Sequence, residues 1–291
     1  LFLAFFFCLF EDLCLCLKLK HLTVSFSKRP YLGVIFLIIG HMKKMIISIL
    51  MTLACLSALT AKAGVNVVIG EDQRGNVPEN YPYSAIARVT NKTGKFCTGF
   101  MVSTTVLMTN AHCVLDENNN LYPVTDIEIF FQSQKKQFES RKITISKKYF
   151  SDKFKYDFAF IEIDEEAGVE SGYFGTRAFE SSMTKSENLQ LSGYAVDYHN
   201  GWELFRQNNL CQAEKPDPNG LIMHNCDMEQ GTSGAPLFIK RGEDKFYVVG
   251  INSRQSQKGA CANFNDQECF NLAVPFQYIG DELLELLKSK G

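Results

Sequence analysis

Between residues 64 and 278 the apolar positions come in short runs, many of them alternating with polar residues and separated by Gly, Asn, Asp, Ser or Pro. The runs at 84–90, 98–108, 126–131, 142–146, 157–163, 189–194, 221–227, 235–239, 246–252 and 270–276 are rich in Val, Ile, Phe and Thr. Period-two patterning at this spacing predicts strands of a sandwich or barrel. A Glu-, Ser- and Gly-rich stretch near 164–187 divides the runs into two similar sets. The reading is therefore all-β: a first barrel over 64–165, a linker over 166–187 and a second barrel over 188–291. After residue 278 the period changes. Ile279, Leu283, Leu284, Leu286 and Leu287 recur at helical spacing, with Lys288 and Lys290 in the last turn. This predicts one amphipathic C-terminal helix, with its apolar stripe expected on the second barrel.

The beginning of the chain has a different texture. Residues 1–41 are rich in Phe, Leu and Cys; then follow Met42-Lys43-Lys44, an apolar stretch to Leu59, and Ala61-Lys62-Ala63. A positive head, an apolar middle and an A-x-A end are the parts of a secretory signal peptide. The expectation is a signal peptide over 42–63, cleaved after Ala63, with 1–41 an upstream extension outside the native protein. The Lys pair and His41 interrupt the apolar runs short of the ~20 residues a membrane span needs. No membrane is expected for the mature form, and a tethered form is kept as the alternative.

From residue 64 onward 228 residues remain, carrying 23 basic and 30 acidic side chains. That acidic balance argues against a nucleic-acid partner, which would need a basic face. Of the ten cysteines, Cys97, Cys113, Cys211, Cys226, Cys261 and Cys269 fall in this part. An even number in an exported domain reads as disulfides, and the lack of any C-x-x-C pair argues against zinc. The turn at 215–220 would bring Cys211 to Cys226, and a short polar loop would join Cys261 to Cys269, though six cysteines allow 15 pairings. The Asp116–Asn120 stretch reads as a solvated turn rather than a calcium loop.

Three segments carry chemistry. In Gly231-Thr232-Ser233-Gly234-Ala235-Pro236 the glycines allow a tight bend that aims backbone N–H groups at one spot beside a hydroxyl. Such a serine needs a base. His199 sits in a polar turn and His224 reads as a strand side chain, whereas His112 ends an apolar run in Thr109-Asn110-Ala111-His112-Cys113. In Tyr156-Asp157-Phe158-Ala159 an acid opens a very apolar strand, and burying it without a partner would be costly. Each signal is modest alone. The order His112, Asp157, Ser233, each at the edge of a β-prone run, is far more specific.

These segments resemble the signatures of the chymotrypsin-like serine peptidases, in particular the bacterial branch that includes the glutamyl endopeptidases. Val68-Ile69-Gly70-Glu71-Asp72, Cys97-Thr98-Gly99-Phe100, Ser171-Gly172-Tyr173-Phe174-Gly175 and Leu191-Ser192-Gly193-Tyr194 are similar to that branch as well. The resemblance implies two six-stranded antiparallel barrels with the triad between them. It implies an oxyanion hole from the Gly231 and Ser233 amides, a Cys97–Cys113 disulfide, and Ser253 supporting the aspartate. It sets Asp227, Met228, Gln230, Asn252, Ser253 and Gln255 along the substrate's path. Thr232 stands where chymotrypsin has an aspartate that pairs with a new N-terminus, so that activation switch is absent. Asn252 stands where glutamyl enzymes carry histidine. Asp227 matches by offset the acid that selects Arg and Lys in trypsin, yet beside Cys226 it reads somewhat better as part of the pocket wall. The expectation is a monomeric serine endopeptidase, secreted or periplasmic and of bacterial type, acting on polypeptides with no cofactor and no metal. A catalytically silent binding module on the same fold is the rival reading.

Overall fold

The structure, a computed structural model, describes residues 68–69, 71–163, 166–180, 182–183, 189–209, 211–214, 216–255 and 270–290. The expected extension and signal peptide lie outside the described residues, as do Cys261 and Cys269.

The first barrel follows from its alternation. Strand β5 (Ile127–Phe131) buries Ile127, Ile129 and Phe131 and exposes Glu128; β6 (Lys136–Ile145) buries Phe138, Ser140 and Ile143 between exposed residues. These two pair with β2 (Ile86–Asn91), β3 (Phe96–Met101), β4 (Val106–Thr109) and β7 (Ala159–Ile163) in the closed order β2-β3-β4-β7-β6-β5. The interior holds Phe100, Leu107, Met108, Ile129, Phe131 and Ile161, each essentially inaccessible to solvent. Full burial of such a side chain is worth about 1.5–3 kcal/mol. The run at 98–108 is two strands rather than one. Ser103 Oγ accepts the N–H groups of Thr105 and Val106, which turns the chain between β3 and β4.

The second sheet has eight strands. It comprises β1 (Arg74–Asn76), β8 (Gly175–Thr176), β9 (Leu189–Tyr194), β10 (Leu204–Gln207), β11 (Ile222–His224), β12 (Pro236–Lys240), β13 (Phe246–Gln255) and β14 (Asn271–Pro275). The hydrogen-bonded path runs β1-β10-β9-β12-β13-β14-β11, with β8 parallel to β13. Isolated bridges Leu189↔Cys211 and Ala213↔His224 link β9 and β11 through residues 211–213. The ring β9-β12-β13-β14-β11 thus meets this short segment as its sixth member.

Two features go beyond the sequence reading. β1 lies in the N-terminal third yet pairs with β10 of the second sheet. Its Arg74 guanidinium, almost wholly buried, is gripped by Asp72 at 2.8 Å and Asp197 at 2.6 Å. The C-terminal helix α2 (Gly280–Lys288) follows a short α1 (Ala167–Ser171) in the linker. The polar ties of α2 run to the first barrel. Glu282 accepts from Ser146 Oγ and Lys147 N, Glu285 pairs with Lys147, and Lys290 just beyond the helix pairs with Glu162. Leu283 joins an apolar cluster drawn from both barrels, with Ile129 and Ile161 of the first and Phe238 and Val274 of the second. The apolar period foretold the stripe, whereas the polar ties depended on partners that the period does not reveal.

Candidate active site

The end of β4 delivers the imidazole. Asn110 is extended (ψ 153°), and Ala111–Cys113 forms one 3₁₀ turn. Two ties hold it: Cys113 is disulfide-bonded to Cys97 on β3, and Asn110 Nδ2 donates to the Asp157 carbonyl at 2.7 Å. Asp157, just before β7, is completely buried. Its Oδ1 accepts the His112 N–H at 3.1 Å, and its Oδ2 lies 2.7 Å from His112 Nδ1 and accepts Ser253 Oγ at 2.6 Å. A carboxylate at Nδ1 fixes that nitrogen as the N–H donor and leaves Nε2 as the basic atom.

Electrostatics follow from this packing. Burial alone would pull the His112 pKa down; the charge and hydrogen bond of Asp157 override it, against opposition from Arg254, and the net shift is upward. Burial would push Asp157 up, but His112 and the bond from Ser253 hold it below the usual carboxylate range. Arg254 Nη2 stands 3.8 Å from Asp157 Oδ2, with its guanidinium 3.9 Å over the Phe154 ring.

Ser233 sits in a turn made by two left-handed glycines, Gly231 (φ 100°) and Gly234 (φ 84°). A Cβ on Gly234 would meet the Thr98 carbonyl oxygen at 2.1 Å, so no other residue fits. The turn is pinned from the first barrel. Thr98 N donates to the Ser233 carbonyl at 2.8 Å, and Thr98 Oγ1 donates to the Gly231 carbonyl at 2.9 Å. Gly234 N donates to the Asn252 carbonyl at 2.8 Å. Among the described residues, neither the Gly231 nor the Ser233 N–H donates to a protein acceptor. The Ser233 hydroxyl donates to the Ser253 carbonyl at 3.4 Å. His112, Gly231 and Ser233 line one cleft of about 560 Å³, with Gln230, Phe96 and the Cys97–Cys113 disulfide.

The sequence therefore singled out residues that the fold brings together: His112, Asp157, Ser233 and Ser253, with the Gly231 amide beside them. The pocket candidates are placed differently. Asp227 is buried, with Oδ1 accepting Ile69 N at 3.1 Å and Oδ2 accepting Gln73 N at 2.7 Å and Gln207 Nε2 at 3.2 Å. Burial nevertheless raises its pKa. Asn252 is inaccessible and hydrogen-bonded to Thr232 and His224. Met228 is buried, Gln230 is exposed at the cleft, and Gln255 ends β13 opposite Asn271. Cys211 is bonded to Cys226. The one metal-type grouping among the described residues, Cys97, His112 and Cys113, has both sulfurs in the disulfide and so offers no thiolate. Thr98 and Asn110 escaped the sequence reading. Their neighbours Cys97 and His112 were the signal, but their own roles depend on contacts across the fold.

The family profile described as Trypsin matches residues 72–277. The chain belongs to the trypsin family. It is 28% identical over 188 residues to the glutamyl endopeptidase of Bacillus licheniformis, a match covering 62% of this chain. The chain spans about 58% of that relative's length. Two solved structures share the family's fold. A Glu endopeptidase in complex with MPD gives a TM-score of 0.59 at 19% identity, covering 76% of this chain and 99% of that one. Protease Anisep from Arthrobacter nicotinovorans gives 0.50 at 17% identity, covering 66% and 90%. The expected chymotrypsin-like, all-β architecture of this family is what the strands form. No helix among the described residues is long and apolar enough to cross a membrane.

Proposed function

We propose that this chain is an exported serine endopeptidase that cleaves polypeptides through an acyl-enzyme on Ser233. One observation carries the reading: a buried carboxylate orients His112 in the same cleft as a serine flanked by two undirected backbone N–H groups. In this scheme the Ser233 hydroxyl, which donates to the Ser253 carbonyl in the free protein, turns to His112 Nε2 for the reaction. His112 takes the proton as Oγ attacks the scissile carbonyl carbon, and Asp157 stabilises the imidazolium. The N–H groups of Gly231 and Ser233 receive the oxyanion. His112 then protonates the leaving amine, and water, activated by the same imidazole, hydrolyses the ester. No step needs a cofactor or metal.

The hydrogen bonds from Ile69, Gln73 and Gln207 to Asp227 support a wall role for that acid over selection of Arg or Lys. The test is digestion of a mixed peptide library by the protein beginning at Gly64, read by mass spectrometry, with Ser233→Ala as control. Cleavage by the native protein alone is expected. Equal cleavage by both would sink the mechanism, and a folded native protein that neither cuts nor reacts with a serine-directed phosphonate would be a silent binding module.

A further inference from the structure

The interior of the second barrel contains a polar chain that the catalytic scheme leaves unused. His224 pairs with Asn271 across β11 and β14, and Ala273 pairs with both Ile222 and Asn252, so His224 and Asn252 share the inward face. Both are completely buried, as is Thr232. Asn252 Nδ2 donates to the Thr232 carbonyl at 2.9 Å and approaches Thr232 Oγ1 at 3.3 Å. Its Oδ1 lies 3.2 Å from His224 Nε2. The carbonyl of Thr232 belongs to the same peptide group as the N–H of Ser233.

We infer that His224 and Asn252 are positioning residues for the oxyanion hole, holding the Thr232–Ser233 peptide in the plane that aims the Ser233 N–H at the reacting carbonyl. The inference rests on the serine-peptidase reading above and adds a device to it. The direction of each bond is fixed by chemistry. The Thr232 carbonyl can only accept, so the amide nitrogen of Asn252 must face it and the amide oxygen must face His224. His224 must then carry its proton on Nε2. Its Nδ1 has no partner among the described residues, and burial pushes its pKa down to about 4, so the imidazole stays neutral through the working range. A carbonyl that accepts a hydrogen bond polarises its own amide, which makes the N–H on the far side a better donor. Thr232 O also accepts from Ala235 N at 3.0 Å, so the turn fixes the peptide from one side and Asn252 from the barrel interior.

The alternative role for Asn252, contact with a substrate side chain, predicts different behaviour. p-Nitrophenyl acetate and diisopropyl fluorophosphate have no amino-acid side chain, yet both reactions at serine develop charge on an oxygen in the hole. Three variants of the protein beginning at Gly64 are compared with the native chain. Asn252→Asp keeps the shape and removes the Nδ2 donor, His224→Phe removes the donor to Asn252, and His224→Gln restores an N–H near the place of Nε2. Loss of a whole oxyanion donor is worth about 10²–10³ in rate, so its misalignment in N252D should slow the ester burst and the fluorophosphate labelling by about 10- to 100-fold. H224F should lose somewhat less, and H224Q should recover most of that loss. Half-saturating ester concentrations should stay within about twofold, because the donor acts on the transition state. Native rates in N252D and H224F would overturn the inference, as would a defect seen only in KM for peptides. Should N252D fail to fold by circular dichroism, the H224F and H224Q pair decides. A native protein that resists labelling would instead remove the serine-peptidase reading itself.

Discussion

The two barrels do different work with different interiors. The first is closed by six strands around an apolar core, and it presents His112 and Asp157 as side chains projecting from the end of β4 and the approach to β7. The second buries His224, Asn252, Asn271 and Ser192 beside its aliphatic cluster and contributes mainly backbone: the turn of Ser233, its two amides, and the carbonyls that tie it. A side chain is aimed by the strand that ends beneath it, here with the Cys97–Cys113 disulfide and the Asn110 amide as its ties. A peptide group is aimed by what its own C=O and N–H touch, and fixing it takes polar partners inside the fold.

Removing the groups each barrel supplies should separate these contributions. Ser233→Ala should lower kcat by about 10⁶-fold with an unchanged melting temperature, measured with a peptide found in the library digest. Asp157→Asn keeps the first barrel's geometry but offers His112 the wrong partner; kcat should fall about 10⁴-fold. Thr98→Val cuts the strut from β3 to the Gly231 carbonyl and leaves the Tyr194 N–H without its acceptor. Unsatisfied buried groups cost about 1–3 kcal/mol, so its urea midpoint should drop by a matching amount and activity should fall with it. An unaltered midpoint would mean that the barrels hold the turn without Thr98.

The polar interior also makes a pH signature. His224 is buried as the neutral ring, with a folded pKa of about 4 against an ordinary 6.5. The unfolded chain therefore binds the extra proton first. Stability from this site is present above about pH 6.5 and is lost as pH falls toward about 4, on the order of 3 kcal/mol in all. Denaturant titrations should show the native protein losing stability relative to His224→Gln as pH falls from about 6.5 to about 4, because the glutamine has no ring to protonate; parallel pH profiles would clear the ring of responsibility. The smallest effect belongs to a cation on β13 of the second barrel that faces the His112–Asp157 pair. Arg254 opposes protonation of His112, so Arg254→Gln should move the acidic limb of the kcat/KM profile to higher pH. A limb that stays in place would show that solvent screens this cation.

Parts of this were open to a reading of residue order alone. The run at 189–194 is β9 to the residue, and that at 126–131 is β5 but for its first residue; in β5 the alternation of buried and exposed positions leaves one register. The run at 221–227 shrinks to β11, since Cys226 leaves the sheet for its disulfide and Asp227 for the N–H groups of Ile69 and Gln73. The polar residues at 136–141 hid the first half of β6, whose exposed face carries Lys, Gln, Glu and Arg. His112, Asp157 and Ser233 were legible because each stands at the edge of an apolar run in a chemically unusual setting.

Sequence by itself determined the all-β class, the terminal helix, and the choice of His112 and Ser233 in the cleft with Asp157 buried behind them. These depend on local periodicity and on residue types with few other uses. Only the tertiary structure decided that the polar ties of α2 run to the first barrel, that β1 joins the second, that Asp227 accepts from the N-terminal segment, and that Asn252 reaches Thr232. Each of these is a choice among hydrogen-bonding partners far apart in the chain, and a buried polar atom accepts whichever partner the packing brings within about 3 Å.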